Sequence, residues 1–467
     1  EGFVGKRLCF NLCVMSQSDV GKSVSSTDDG MCSSKVVNST WNIQPSTRSL
    51  LTINPIRNLV QNIRVQPNPK LDKLDLSVGD PTVYGNLQPP QNIQNALANI
   101  VSSGNSNGYP ASFGTLQARE SVADLLNRQM NQNGSKNDTF QFTESDVYLT
   151  AGTSGALELA LSAVANHGDN ILVPQPGFPL VQTVAGYLGV DCHRYHLVAD
   201  KSWEIDLDSI RSAVNERTVA LVLNNPSNPC GSVWSRKHVE DVMSLAAELK
   251  LLVIADEIYA EMAFNGLEFT SASAVTGCDA PVLVLGGISK RFVVPGWRLG
   301  WLAVCDRMKV LENSKLRQAL RQLTTRMLLP SKIIQDVLPQ MLEMSSGNTD
   351  AFGTLMGELE SNAKLCFDGL SMASGLEPIE PQGSMYIMVK VDVERLGMRD
   401  DMEFCTRLLE EQAVFVLPGE CFEAPGFVRI VFSPPERILR AAIDRIQQFC
   451  TKHDRLHAQM PAHKVSS

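Results

Sequence analysis

Six short runs of β-branched and aliphatic residues, at 147–150, 170–173, 218–223, 251–255, 281–285 and 299–304, constrain what this chain can fold into more than any other feature. They do not alternate apolar with polar residues, as a strand does when one face meets water. Continuous runs of this length fit strands whose two faces are both covered by helices. Amphipathic stretches separate them, which gives repeated βα units and an α/β fold around a mainly parallel sheet.

Several runs pass straight into turn or polar residues: Ala151-Gly-Thr-Ser-Gly155, Asn224-Asn-Pro-Ser-Asn-Pro-Cys-Gly231, Asp256-Glu-Ile-Tyr259 and Gly286-Gly-Ile-Ser-Lys290. Ligands of open α/β sheets sit beyond the carboxyl ends of the strands, so these four segments are expected to meet in one crevice. After about residue 330 the texture changes to long helical stretches, then strands near 385–391, 414–417 and 428–432 and a closing helix from Glu436. The expected division is a disordered tail over 1–40, a segment 41–80 that joins a smaller α+β domain, a large domain over 81–330, the rest of the small domain over 331–452 and a second tail over 453–467.

Composition excludes several classes. Lys and Arg number 41 against 50 Asp and Glu, a net charge of -9, with no basic footprint for nucleic acid. No apolar stretch approaches the roughly 20 residues of a membrane helix. The eleven cysteines are scattered, without a CxxC pair or a nearby histidine to complete a metal set, so no metal is expected. They read as reduced thiols in a reducing compartment, the cytoplasm first and the mitochondrion second. The chain starts at Glu1, and 2–14 is a basic, Cys-containing stretch ahead of Met15. A clipped start is the first expectation there and a transit peptide its rival.

The chemistry concentrates on Lys290, in Ser289-Lys290-Arg291 just past an apolar run, with Arg298 eight residues later in Pro295-Gly-Trp-Arg-Leu-Gly300. A lone Lys after a strand is usually a solvated surface charge. A lysine withdrawn from water beside another cation instead serves as an amine nucleophile toward an aldehyde cofactor, and the guanidinium offers a bidentate phosphate site. Asp256 ends an apolar run where a carboxylate is costly without a cation, and a pyridinium nitrogen is such a partner. Tyr259 lies one turn further on. For either residue alone a helix cap or a core tyrosine is the commoner explanation. Gly152, Thr153 and Ser154 open a helix, where backbone N–H groups and hydroxyls form an anion site. Phe178, in Pro176-Gly-Phe-Pro179, fits a stacking ring or a core aromatic equally well, and Asn228 fits a ligand amide or a turn former.

These segments together resemble the fold-type I pyridoxal phosphate aminotransferases. More narrowly, Asn54-Pro-Ile-Arg57, Ser77-Val-Gly-Asp-Pro-Thr82, Asn107-Gly-Tyr-Pro110, Lys201-Ser-Trp-Glu-Ile-Asp206, the Asn224 to Gly231 segment and Val294-Pro-Gly-Trp-Arg-Leu-Gly-Trp301 are similar to the tyrosine-specific branch of that family. The likeness runs from about residue 41 to about 450 and implies a seven-stranded, mainly parallel sheet with helices on both faces. It implies pyridoxal 5'-phosphate as cofactor, with Lys290 as the lysine that carries it and then moves the Cα proton, and Asp256 at the ring nitrogen. Tyr259 and Asn228 fall at the ring oxygen. Gly152, Thr153, Ser154, Ser289 and Arg298 fall at the phosphate, and Phe178 on the ring. Tyr109 matches a tyrosine that reaches the neighbouring subunit's phosphate, which implies a homodimer. Arg429, in Gly426-Phe-Val-Arg-Ile430, matches the clamp on the substrate α-carboxylate, with Gly79 and Asn228 beside it. Gly287 departs from the pattern, since many relatives carry Ser or Thr there.

The implied reaction transfers the amino group of L-tyrosine, and of phenylalanine, to 2-oxoglutarate, giving 4-hydroxyphenylpyruvate and glutamate, the first step of tyrosine catabolism. Alternatives within the fold are an alanine- or nicotianamine-type aminotransferase, a lyase that cleaves the carbon–sulfur bond of cysteine conjugates, and a catalytically silent binding protein. No basic residue identifies itself as the binder of the second carboxylate of 2-oxoglutarate.

Overall fold

A computed structural model describes residues 41, 43–133, 140–278, 280–328, 330–344 and 350–455. Glu1–Pro45 separates from Ser46–Ser467 as a unit of its own, and the fold below is that of Ser46–Ser467. The expected first tail, Cys9, Cys13 and Cys32 with it, lies outside the described residues, as do 456–467 of the second. The closing helix runs over Glu436–His453, and Asp454 behind it is buried and paired with Arg395 at 2.8 Å.

After a two-residue strand β1 (Leu74–Asp75) come β2 (Val147–Thr150), β3 (Asn170–Gln175), β4 (Asp191–Val198), β5 (Glu204–Ile205), β6 (Thr218–Asn224), β7 (Leu252–Asp256), β8 (Val282–Gly287) and β9 (Gly300–Cys305). The six apolar runs are β2, β3, β6, β7, β8 and β9, each within two residues of its expected bounds. The sheet order is β2-β9-β8-β7-β6-β3-β4-β5. The β3–β4, β3–β6, β6–β7 and β7–β8 pairs are parallel, whereas β2–β9, β8–β9 and β4–β5 are antiparallel. Seven long strands and a two-residue edge strand thus make the mainly parallel sheet. β4 produced no apolar run because it reads Asp-Cys-His-Arg-Tyr-His-Leu-Val, and its only outer neighbour is the short β5.

Neighbouring residues along the central strands enter opposite cores. Leu221, Val253 and Val284 pack in one cluster, and Val222, Ile254 and Leu285 in another with Leu157, Ala160 and Leu161 of the helix Gly152–Val164. Each such side chain is worth roughly 1.5–3 kcal/mol when buried. Two-sided burial therefore explains why these strands read as continuous runs.

Beyond them lie β10 (Leu376–Pro378), β11 (Tyr386–Val391), β12 (Val414–Phe415), β13 (Leu417–Pro418) and β14 (Phe427–Val431). An antiparallel sheet has the order β10-β11-β14-β13, while β12 pairs in parallel with β1. The closing helix lays Leu439, Ala442, Ile443, Ile446 and Phe449 into this core at helical spacing. Leu74 and Leu76 join the same cluster. The eight described cysteines are free. Among the described residues no helix is long and apolar enough to cross a membrane, and no group of three or more His, Cys, Asp or Glu is placed to hold a metal ion.

Candidate active site

The chain proceeds from β3 outward to β4 on one side and from β6 through β7 to β8 on the other, so a crevice opens between these halves at the strand carboxyl ends. Asn224, the last residue of β6, is level with Asp256, the last of β7. Lys290 follows three residues after the end of β8. A cavity of about 470 Å³ occupies the crevice. Of the residues expected at the site, it brings together Gly79, Thr153, Ser154, Phe178, Asn228 and Asp256 with Tyr259, Ser289, Lys290, Arg298 and Arg429. Gly152 lies just behind Arg298. Tyr109 is 91% exposed and not part of the lining.

The Lys290 amine donates to the Gly79 carbonyl at 2.5 Å and stands 5.8 Å from the centre of the Tyr259 ring. Burial pushes the Asp256 carboxyl up to about 6, against the pull of the Ile258 N–H and of the nearby Lys290 charge. The Ile258 N–H reaches Asp256 Oδ1 at 3.2 Å. The carboxyl makes no ion pair among the described residues, and a protonated pyridine nitrogen is the kind of partner that would offset its desolvation.

At the start of the helix Gly152–Val164, Gly152 has φ +73°, and a Cβ there would sit 2.5 Å from Arg298 Nη2. A glycine is therefore what lets the guanidinium lie against the helix N-terminus, where it donates to the carbonyls of Ala151 (3.1 Å) and Pro295 (2.9 Å). Helix-start N–H groups, the Ser154 hydroxyl and this cation make an anion cradle. Gly287 has a local reason as well. A Cβ on it would approach Thr153 Oγ1 and the Leu299 carbonyl at 3.1 Å, so Thr153, whose hydroxyl donates to Gly286 O at 3.2 Å, already fills the corner that a larger residue 287 would need.

Arg429 on β14 is 3% exposed, and burial lowers its pKa. Its Nη1 donates to Asn228 Oδ1 (2.8 Å) and its Nη2 to the Ser77 carbonyl (2.7 Å), while Nε makes no hydrogen bond. Among the described residues it has no carboxylate partner. The guanidinium lies between the rings of Tyr386 and Phe422, 4.5 and 4.6 Å from their centres. Asn228 is held in turn by its backbone N–H on Asn224 Oδ1 at 2.7 Å, and its side-chain Oδ1 is the atom that accepts from Arg429.

Two lining residues escape a reading of motifs. Asn224 sits inside a quoted segment, yet only the β6–β7 register shows that it braces both Asn228 and the Asp256 backbone, the latter at 3.3 Å. Tyr386 opens β11 within an apolar run and reads as core. Folding brings its hydroxyl 2.6 Å from that of Tyr259, its ring onto Arg429 and its edge against Gly79, where any Cβ would collide with the hydroxyl.

Comparison with known proteins adds the following. The family model described as aminotransferase class I and II matches residues 71–446. The tyrosine aminotransferase of Mus musculus is 41% identical over 414 residues, 88% of this chain and 88% of that one. The crystal structure of tyrosine aminotransferase from Leishmania infantum superposes with a TM-score of 0.82 at 36% identity, over 89% of this chain and 100% of that one. An alanine aminotransferase from Pyrococcus furiosus follows, with a TM-score of 0.80 at 30% identity over 88% and 100%.

Proposed function

The chain belongs to the class I and II aminotransferases, and from that premise we propose that it moves the amino group of L-tyrosine to 2-oxoglutarate, giving 4-hydroxyphenylpyruvate and glutamate, with pyridoxal 5'-phosphate as its cofactor. One observation carries the reading: Arg429, a buried guanidinium with no carboxylate partner among the described residues, lines the same cavity as the amine of Lys290 and the carboxyl of Asp256. A substrate carboxylate completes Arg429 and thereby presents its Cα to Lys290.

The residues present fit the cofactor. Asp256 lacks the cation that a ring nitrogen supplies, and the glycine-backed cradle of Arg298 and the helix start suits a phosphate. Pyridoxal phosphate, when bound, supplies an electron sink for the pair left on Cα once its proton departs. Asp256 would keep a proton on the ring nitrogen, the Tyr259 hydroxyl and the Asn228 amide would serve the ring oxygen, and Phe178 would pack on the ring. Arg429 fixes the α-carboxylate with a planar fork, so the Cα–H bond is aimed rather than free to rotate. Lys290 Nζ would take the proton from the substrate Cα and hold it for return on the far side of the substrate nitrogen, and the second half of the cycle would run these transfers in reverse with the 2-oxo acid. Tyr109, exposed on the single chain, contributes to a second copy's phosphate site in a homodimer. Residues 81–330 act as the body that holds the cofactor, and 41–80 with 331–452 as the part that covers it. A reducing compartment, the cytoplasm first, suits the eight described cysteines, which are free.

An aromatic donor is favoured by the apolar wall of Ile56, Val60, Phe415 and Leu417. The deciding experiment measures initial rates with tyrosine, phenylalanine, alanine and cystathionine, each with 2-oxoglutarate. Tyrosine should lead, with phenylalanine behind it. Leadership by alanine, or pyruvate and ammonia from cystathionine, overturns the donor assignment, and normal turnover by Lys290→Ala overturns the mechanism.

A further inference from the structure

An enzyme of this kind must accept an aryl side chain and a second carboxylate in one place, and the cavity that Arg429 lines offers residues for both. Among the described lining residues the cations are Lys73, Lys290, Arg298 and Arg429. Three are committed: Lys290 to the reacting carbon, Arg298 to the helix-start cradle and Arg429 to the α-carboxylate. Lys73 remains.

Its position follows from strand geometry. Leu74 and Leu76 point into the core at 5% and 2% exposure, so period-2 alternation turns Lys73, Asp75 and Ser77 to the opposite, cavity-lining face. The Ser77 carbonyl holds Arg429, and four residues of extended chain, roughly 13 Å, lead from it to Lys73. The segment on either side of β1 therefore carries the α-carboxylate end of the site at Ser77 and, further out, a lysine. β1 pairs with β12 so that Asp75 faces Phe415, and Lys73 Nζ lies 5.0 Å from the centre of the Phe415 ring. Asp75 Oδ1 is taken by the Ser77 N–H (3.1 Å) and hydroxyl (2.5 Å), which leaves Oδ2 to pair with Lys73 at 2.8 Å. The Lys73 side chain is 43% exposed, so this pair is solvated and weakly held.

We propose that Lys73 binds the distal carboxylate of the five-carbon acceptor, and that when Lys73 rests on Asp75 the wall of Phe415, Ile56 and Val60 takes the aromatic ring of the donor. The inference rests on the aminotransferase reading. Asp75 supplies the parked position: it neutralises the lysine while an uncharged ring fills the cavity, and it yields to a substrate carboxylate that arrives with its own charge. A fixed, unpaired cation at that place would instead penalise every aryl donor, because the ring would bury it without compensation.

The test uses the full chain with cofactor and tyrosine as donor, and compares kcat/KM for 2-oxoglutarate with that for 2-oxopentanoate, the same chain without the second carboxylate. Lys73→Met should lower the ratio of the two about tenfold, and Lys73→Arg should keep most of it. Calorimetric binding of glutarate against pentanoate should show the same loss of preference without turnover. A ratio that moves less than twofold, or a fall in both acceptors together, overturns the proposal. If the unmutated protein transfers to neither acceptor, the aminotransferase reading itself has failed, and that is visible before any variant is compared.

Discussion

The hydroxyls of Tyr259 and Tyr386 lie 2.6 Å apart in the core beneath the cavity, with the two rings edge to face at 86°. Burial, reinforced by this neighbour, holds Tyr259 well above its usual pKa, so it stays a neutral donor. Tyr386 orients that donor and stacks on Arg429, linking the ring-oxygen side of the site to the carboxylate side. Tyr386→Phe keeps the stacking and removes the bond, so kcat should fall about fivefold, the worth of one net hydrogen bond of ~1 kcal/mol, with KM for tyrosine little changed. An unchanged kcat would show that the ring, and not the hydroxyl, does the positioning.

Asp256 makes the cofactor-free protein sensitive to pH in a definite direction. Burial raises its pKa in the folded chain to about 6 from the ordinary 3.8, so the folded form binds the proton more tightly and loses stability as pH rises between those values. At about 1.36 kcal/mol per pKa unit the loss amounts to roughly 3 kcal/mol, complete above pH 6 or so. Asp256→Asn, stripped of cofactor, should therefore gain thermal stability over the unmutated chain as pH goes from 4 to 7, while binding pyridoxal phosphate far more weakly. A stability difference that is flat across that range would mean the carboxyl is already compensated.

Gly152→Ala tests the phosphate cradle. The new methyl group would adopt φ +73° and press on Arg298 Nη2. The backbone cost alone is roughly 1–2 kcal/mol, and displacement of the guanidinium should weaken cofactor binding about tenfold or more in a spectral titration. Unchanged affinity would remove Arg298 from the phosphate site.

Arg429→Lys keeps the charge and loses the fork, leaving Asn228 Oδ1 or the Ser77 carbonyl without its donor. Hydrogen bonds to charged groups are worth ~1.5–3 kcal/mol, so KM should rise for every amino donor and every oxo acid alike, one carboxylate or two. Steady-state kinetics on tyrosine and on both acceptors would check it. An effect confined to diacids would assign Arg429 the distal role instead.

Much of the fold was legible along the chain because its physical cause is local. Two-sided burial writes itself as continuous apolar runs, and helix starts and tight turns need Gly, Ser, Pro and Asn at fixed places, so β2, β3, β6, β7, β8 and β9 and the segments after them could be located. β4 could not, since a strand near the sheet edge keeps polar residues. The resemblance of ordered motifs likewise pointed to Lys290, Asp256, Tyr259, Asn228, Arg298 and Arg429, and the structure gathers all six on one cavity.

What the sequence by itself determined is thus the α/β layering, the family and the motif residues that meet at the cavity. Only the tertiary structure decided how those residues are braced. Tyr386 lies 127 residues from Tyr259, and Ser77 lies 352 from Arg429. Nothing local marks such pairs, because their contacts arise from sheet register and from the packing of the two sheets' ends, which place side chains together across the cavity. The same holds for Lys73: its sequence neighbours give it no role, and the fold places it beside the paired β1 on the cavity wall.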